Sequence, residues 1–244
     1  MGRESDLALE LVRPLISSDV KIFDRGQLWE QLSGRIELDS QAMPEKYAFS
    51  EKKGYLLFRR IIDVTFSLFV SPFGFLVLFV FGVIIRFEGP GPFLFVQRRV
   101  GKRGKEFNLY KLRTMMPEDQ NRPTFASENT HRITRAGRLA RRWRVDEIPQ
   151  FWNILIGDMT LIGPRPEQAG FVAEFESEIP FYGLRHRMRP GLTGWAQVNQ
   201  GYAEGHDETR VKLAYDLFYV KNSSPWLDAL IILKTLYFII RGEN

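Results

Sequence analysis

Apolar and polar residues are mixed through the first fifty positions, with helical spacing only in Leu7 to Ile16 and Gly26 to Leu32 and a less regular stretch through Pro44. The pattern changes at Ile61. From there IIDVTFSLFVSPFGFLVLFVFGVII runs to Ile85 with Asp63 as its single charge. Such a run belongs in lipid. As a straight helix its 25 residues would cover roughly 37 Å, against a hydrocarbon core of about 30 Å. Ser71 and Pro72 sit in its middle, where proline removes a backbone donor and crowds the preceding turn, so a bend or break is expected there. Both flanks are basic: Lys52, Lys53, Arg59 and Arg60 precede the run, and Arg86, Arg98, Arg99, Lys102, Arg103 and Lys105 follow it. The positive-inside rule then puts both ends on the cytoplasmic side. A helix that enters one leaflet, turns at Ser71-Pro72 and returns satisfies both facts; the alternative is a tilted span with a proline kink.

Beyond the anchor, Gly89-Pro90-Gly91-Pro92 forces a turn, and PFLFVQRRV and EFNLYKLRTM flank Gly101-Lys102-Arg103-Gly104 as a basic strand pair. Ile133 to Arg144 carry Ile133, Ala136, Leu139, Ala140 and Trp143 at helical spacing, with six arginines around them. A solvated face on anionic lipid head groups accounts for many of those arginines. In VDEIPQFWNILIGDM, Pro149 suits a first helical turn and Ile148, Phe151, Trp152, Leu155 and Ile156 form an apolar face. Asp146 and Glu147 then lie at a helix N-terminus, where free N–H groups and nearby arginines would keep a carboxylate ionised, as a nucleophile or metal ligand requires. Capping alone would also explain the pair, and acidic pairs recur at Glu118-Asp119 and Asp207-Glu208. The setting adds weight, because Gly163-Pro164-Arg165-Pro166 follows as a rigid turn offering another arginine. The tail WLDALIILKTLYFIIR, interrupted by Asp228 and Lys234, suits an interfacial helix better than a span.

Composition narrows the chemistry. With 244 residues there is room for one main body. The chain has no cysteine, which removes disulfides, thiolate zinc sites and thiol nucleophiles. His131, His186 and His206 lack metal-ligand spacing and read as structural or surface groups. Lys and Arg outnumber Asp and Glu by 34 to 29, a basic balance that suits nucleic acid, anionic lipid or phosphorylated substrates. Nucleic acid is disfavoured by the apolar run and by the lack of a helix-turn-helix, zinc or RNP-type pattern. No phosphate-binding glycine motif of the ATPase or dinucleotide type is present.

From about Phe58 to the C-terminus the chain resembles the monotopic phosphoglycosyl transferases, the bacterial sugar transferase family. The likeness is carried in order by the Ser71-Pro72 break, GPFLFVQRRVG, FNLYKLRTM, RRWRVDEIPQFWNIL, GDMTLIGPRP, RPGLTGWAQVN and YDLFYVKN. LTGWAQVNQGY and RVKLAYDLFYVKNSSPWLD are similar to its exopolysaccharide-type members. One departure is Leu112, where the family more usually has an aromatic. The first fifty residues look like the stretch that joins a larger N-terminal region to the catalytic part in long members. The resemblance implies a two-step reaction: Asp146 attacks the sugar-proximal phosphorus of a UDP-sugar and expels UMP, and undecaprenyl phosphate then takes the sugar phosphate. It implies Mg²⁺ on Asp146 and Glu147, with Glu147 positioning the site, holding metal or moving a proton. Arg141 and Arg165 complete a minimal set for neutralising phosphate oxygens, with Lys111 and Arg113 in a second tier, where an alternating polar strand face is an equal reading. In the glycine-punctuated loop, Trp195 is expected to pack or meet the membrane rather than stack on a base, and Asp216 is either a supporting carboxylate or one half of an ion pair.

The expected fold is α/β but helix-dominated, with an extension at 1–57, a re-entrant helix at 58–88 and a catalytic domain at 89–244 that ends in an interfacial helix. Expected partners are the UDP-sugar, undecaprenyl phosphate and anionic lipids at the cytoplasmic face of the bacterial inner membrane, with a homodimer left open. The competing class is a non-catalytic membrane scaffold of a polysaccharide assembly complex, which would have no use for Asp146-Glu147 beside Arg141 and Arg165.

Overall fold

The computed structural model describes residues 25–38, 53–116, 132–200 and 205–241; Leu7 to Ile16, Pro44, His131 and Glu118-Asp119 lie outside them. In chain order the elements are α1 (Arg25–Ser33), α2 (Lys53–Glu88), β1 (Leu94–Val100), β2 (Glu106–Leu112), α3 (Arg135–Arg142), α4 (Gln150–Ile156), β3 (Thr160–Ile162), α5 (Ala169–Glu178), β4 (Gly191–Thr193), α6 (His206–Asn222) and α7 (Pro225–Arg241). Helix dominates, as expected. The basic hairpin forms where the alternating pattern puts it, antiparallel with Phe95 opposite Lys111 and Val100 opposite Glu106. β3 and β4 form a second, parallel pair of three residues each.

α2 is the one described helix long and apolar enough to cross a membrane. Its helical bonding continues through Ser71 and Pro72, where the sequence suggested a bend or a break, so the helix is not interrupted there. Proline deprives only the Leu68 carbonyl of its donor, and Ser71 Oγ donates to the Ser67 carbonyl at 2.6 Å in the same turn. Along α2, Phe69, Phe73, Phe75, Leu76, Phe79 and Phe87 are all exposed, a continuous apolar surface that water would not tolerate. The few buried residues of α2 face the body. Near its start, Arg59 donates to the Thr160 hydroxyl and the Ile162 carbonyl, and Arg60 to the carbonyls of Ile154 and Leu155. Asp63 accepts from Thr160 Oγ1 at 2.7 Å and from the Leu161 N–H at 2.9 Å. Near its end, Ile85 packs with Leu112, Ala136 and Ala140, and Glu88 accepts from the Ala136 N–H.

The body has several small cores rather than one. Val172, Phe175, Ile179 and Tyr182 pack on Leu213 and Leu217 of α6, and Ile36 joins them. Residues 25–38, expected as part of an extension, therefore dock on the body: the Ile36 N–H meets the Ala214 carbonyl, and Glu30 pairs with Lys221 at 2.8 Å. Trp195 packs, as its loop suggested; it stacks on Phe218, and its Nε1 donates to the Gly34 carbonyl at 2.6 Å. In α7, Asp228 accepts from both Tyr55 and Tyr219, and Lys234 donates to Asn199 and lies over the Trp195 ring. Asp228 and Lys234 thus turn inward, leaving Trp226, Leu233, Leu236 and Ile240 exposed.

Candidate active site

α3 and β2 place the site. The N–H of Gly137 is capped by Thr134 Oγ1, and a Cβ at Gly137 would collide with the Thr114 carbonyl, so only glycine lets α3 lie this close to the end of β2. That contact sets Arg141 Nε 2.9 Å from Thr114 Oγ1. After α3, Arg144 adopts a left-handed conformation (φ 55°) and turns the chain into a 3-10 turn at Val145–Glu147. Asp146 and Glu147 lie in this lead-in turn, one step before α4. The N–H groups expected to hold the carboxylates are already used: those of Glu147 and Ile148 donate to the carbonyls of Arg144 and Val145. Cations, not a helix N-terminus, stabilise charge here.

Both carboxylates are buried. Three cations converge on Glu147 Oε1: Arg165 at 2.9 Å, Lys111 at 3.6 Å and Arg144 at 3.7 Å. Burial alone would raise the Glu147 pKa, but Arg165, Lys111 and Arg144 outweigh it and bring it down to about 2. Asp146 differs. Burial and the adjacent Glu147 push it above the usual carboxylate range, against the pull of Lys111, Arg141 and Arg144. Among the described residues, no hydrogen bond or ion pair engages the Asp146 carboxylate, although four cations surround the pair. Burial and the charge of Arg165 bring Lys111 itself down to about 8.

The Arg165 turn is held from behind. Prolines at 164 and 166 remove two backbone donors, so the turn is gripped through its carbonyls: Arg185 donates to that of Arg165 at 2.8 Å, Arg99 to that of Pro166 at 3.1 Å, and the Val100 N–H to that of Glu167 at 2.9 Å. Arg185 is anchored by Asp216 Oδ2, at 3.0 and 2.7 Å, and by the Tyr182 hydroxyl. Of the two readings of Asp216, the ion pair is the one observed. Glu167 is in turn bonded to Lys212 and lies 3.7 Å from Arg99.

Lys111, Arg141 and Arg165 thus come together with Asp146 and Glu147. Arg113 does not. Its guanidinium donates to the carbonyls of Ile85, Gly89 and Pro90, tying the end of α2 to β2. Ser71 and Pro72 lie within α2, where Ser71 bonds the preceding turn of the helix rather than the carboxylates. Trp152 and Ile156 are exposed, as Leu139 and Trp143 are, rather than packed inward. Two residues were missed. Asn153, fully buried, donates to the Asn108 carbonyl and accepts from the Tyr110 N–H, fixing α4 on the strand that carries Lys111. A polar residue inside FWNILI was its visible signal. Arg144 was noted only as one arginine of a run.

A phosphate-sized cluster of cations around two buried acids, on a body that carries a lipid-facing helix, has the make-up of a membrane-face centre for phosphorylated substrates. The chain matches the bacterial sugar transferase family over residues 54–242, and it belongs to that family. It is 41% identical over 244 aligned residues to the UDP-N-acetylgalactosamine-undecaprenyl-phosphate N-acetylgalactosaminephosphotransferase of Aeromonas hydrophila, covering 98% of this chain and 58% of that protein. It is 37% identical to a UDP-glucose:undecaprenyl-phosphate glucose-1-phosphate transferase of Caulobacter vibrioides, over 76% of this chain and 71% of that one. Identity to the exopolysaccharide production protein PSS of Rhizobium leguminosarum bv. phaseoli is 38%, over 78% of this chain and 98% of the relative. The chain therefore spans little more than half the length of the Aeromonas relative.

Proposed function

We propose that this chain moves a sugar-1-phosphate from a UDP-sugar to undecaprenyl phosphate and releases UMP, through a covalent phosphosugar on Asp146. The observation that carries the reading is the buried Asp146 carboxylate, without a hydrogen-bond partner among the described residues and under the pull of Lys111, Arg141 and Arg144. A carboxylate left so has oxygens free to meet a ligand. In the first step an Asp146 oxygen attacks the sugar-bearing phosphorus and the bond to the UMP oxygen breaks. Lys111, Arg141 and Arg165 offset charge on the equatorial and leaving oxygens. In the second, an oxygen of the lipid phosphate attacks the same phosphorus and the Asp146 carboxylate leaves, restoring the enzyme. Glu147, held by Arg165, orients that arginine and Lys111. The donor set fits Mg²⁺, since the cations converge on Oε1 of Glu147 and the Asp146 oxygens and Glu147 Oε2 would be the hard oxygen ligands to hold it. Bound there, Mg²⁺ would neutralise the donor diphosphate.

The names of the Aeromonas and Caulobacter relatives share a UDP donor and an undecaprenyl phosphate acceptor but differ in the sugar. The bonds from the body to both ends of α2, through Arg59, Arg60 and Asp63 at the start and Glu88 at the end, support a re-entrant path with both ends at the cytoplasmic face. The test is to hold the protein in nanodiscs with Mg²⁺ and undecaprenyl phosphate and offer a panel that includes UDP-N-acetylgalactosamine and UDP-glucose. Acceptor-dependent UMP formation that Asp146→Asn abolishes is expected. Equal turnover by Asp146→Asn would remove Asp146 as nucleophile, and no UMP with any donor would favour the scaffold.

A further inference from the structure

Arg144 lends its charge to Glu147 from 3.7 Å, yet its guanidinium is held by no hydrogen bond among the described residues. Its backbone lies at φ 55° and ψ 19°, a conformation that glycine takes freely and that branched or long side chains enter only under strain. Its guanidinium makes no hydrogen bond among the described residues; its closest charged partner is Glu147 Oε1 at 3.7 Å, which Arg165 already holds at 2.9 Å. About a third of the side chain remains open to the outside, more than for Arg165 or Lys111. The preceding residue, Trp143, is 57% exposed, and Leu139, Trp152 and Ile156 are exposed with it. Exposed tryptophan among aliphatic side chains suits the head-group level of a bilayer. Arg144 therefore follows an exposed tryptophan directly and precedes the buried carboxylates, with no hydrogen bond on its guanidinium among the described residues.

We propose that Arg144 binds the phosphate monoester of the lipid acceptor as it enters from the membrane, and so acts chiefly in the second half of the reaction. The inference rests on the two-step reading above. A guanidinium suits a phosphate through paired donors, which a lysine ammonium reproduces only in charge. The donor's diphosphate meets Lys111, Arg141 and Arg165, which lie deeper or are already bonded within the site.

The test uses the full chain in nanodiscs, a UDP-sugar that the wild type turns over, and undecaprenyl phosphate. Arg144→Gly is the main variant, because glycine accepts this backbone and so separates folding from binding. Two rates are read: single-turnover UMP release without acceptor, and steady-state turnover as acceptor is varied. For Arg144→Gly the acceptor KM should rise roughly 10- to 100-fold, as expected for a lost charged hydrogen bond, while the acceptor-free UMP burst falls less than about 3-fold. Arg144→Lys should recover part of the acceptor affinity. An equal fall in both rates, or a rise confined to the donor KM, would overturn the assignment and place Arg144 on the diphosphate. If the wild type turned over with acceptor but gave no acceptor-free burst, the two-step reading itself would fall, and this assignment with it.

Discussion

Asp146 and Asp216 are both buried aspartates beside arginines, yet their surroundings are opposite. Asp216 is 1% exposed and doubly bonded by Arg185, which also grips Tyr182 and the Arg165 carbonyl. Asp146 is 8% exposed, faces the charges of Lys111, Arg141 and Arg144 and has no hydrogen bond among the described residues. The satisfied carboxylate is architecture, and in the reaction proposed above the unsatisfied one is where substrate binds. Proximity to arginine does not separate them; the count of hydrogen bonds does.

Substitution should pull the two apart. Asp146→Asn should cost about 10⁴-fold or more in UMP formation, the scale of losing a covalent nucleophile, while thermal unfolding stays near that of the wild type. Asp216→Asn should do the reverse, costing about 3–5 kcal/mol of stability because Arg185 is left buried and uncompensated, an effect read by denaturant or thermal melts. If Asp216→Asn were as stable as the wild type, the architectural reading would fail. Arg165→Ala removes one donor from the reacting phosphate and should lower kcat/KM by about 10²–10³-fold, measured with the same UMP assay.

The hinge between the two regions has a pH signature. Lys212, Arg185 and Arg99 outweigh burial and hold Glu167 at about 2, below its ordinary 4.5. Its folded pKa is depressed, so its contribution, at most about 3 kcal/mol, is fully present above about 4.5 and is lost as pH falls towards 2. The stability gap between wild type and Glu167→Gln should therefore be largest near neutrality and close on acidification. A gap that widened in acid would contradict the ion-pair account. The smallest effect is expected for Arg113→Lys. A lysine cannot reach three carbonyls with planar geometry, so stability should drop by about 1–2 kcal/mol with the donor KM little changed.

Much of the frame was legible along the chain. The lipid-facing helix follows from an apolar run that no soluble core of this size could absorb, and the hairpin from alternation around Gly101 to Gly104. The acidic pair was visible, but the device that sets its charge was not. Helix-N-terminal stabilisation is a local inference, whereas the cations on Glu147 Oε1 come from β2, the Arg144 turn and the Gly163–Pro166 loop, brought together only by tertiary packing. The β3–β4 pair escaped for the same reason, since three-residue strands separated by α5 carry no periodic signal. Helical spacing marked Trp152 and Ile156 as apolar-face residues but not which medium that face meets; in a membrane-bound body it can be lipid instead of core. Arg113 shows the converse, since strand alternation placed it with Lys111 but its reach to the carbonyls after α2 depends on where that helix ends.

The most direct test of the central claim is the intact mass of the nanodisc-held protein after incubation with its UDP-sugar and Mg²⁺ in the absence of undecaprenyl phosphate, followed by peptide mapping. The account predicts a gain of one sugar phosphate on the peptide containing Asp146, lost on addition of the lipid acceptor and never formed by Asp146→Asn. Turnover with acceptor but no such adduct, or an adduct on another residue, would contradict it.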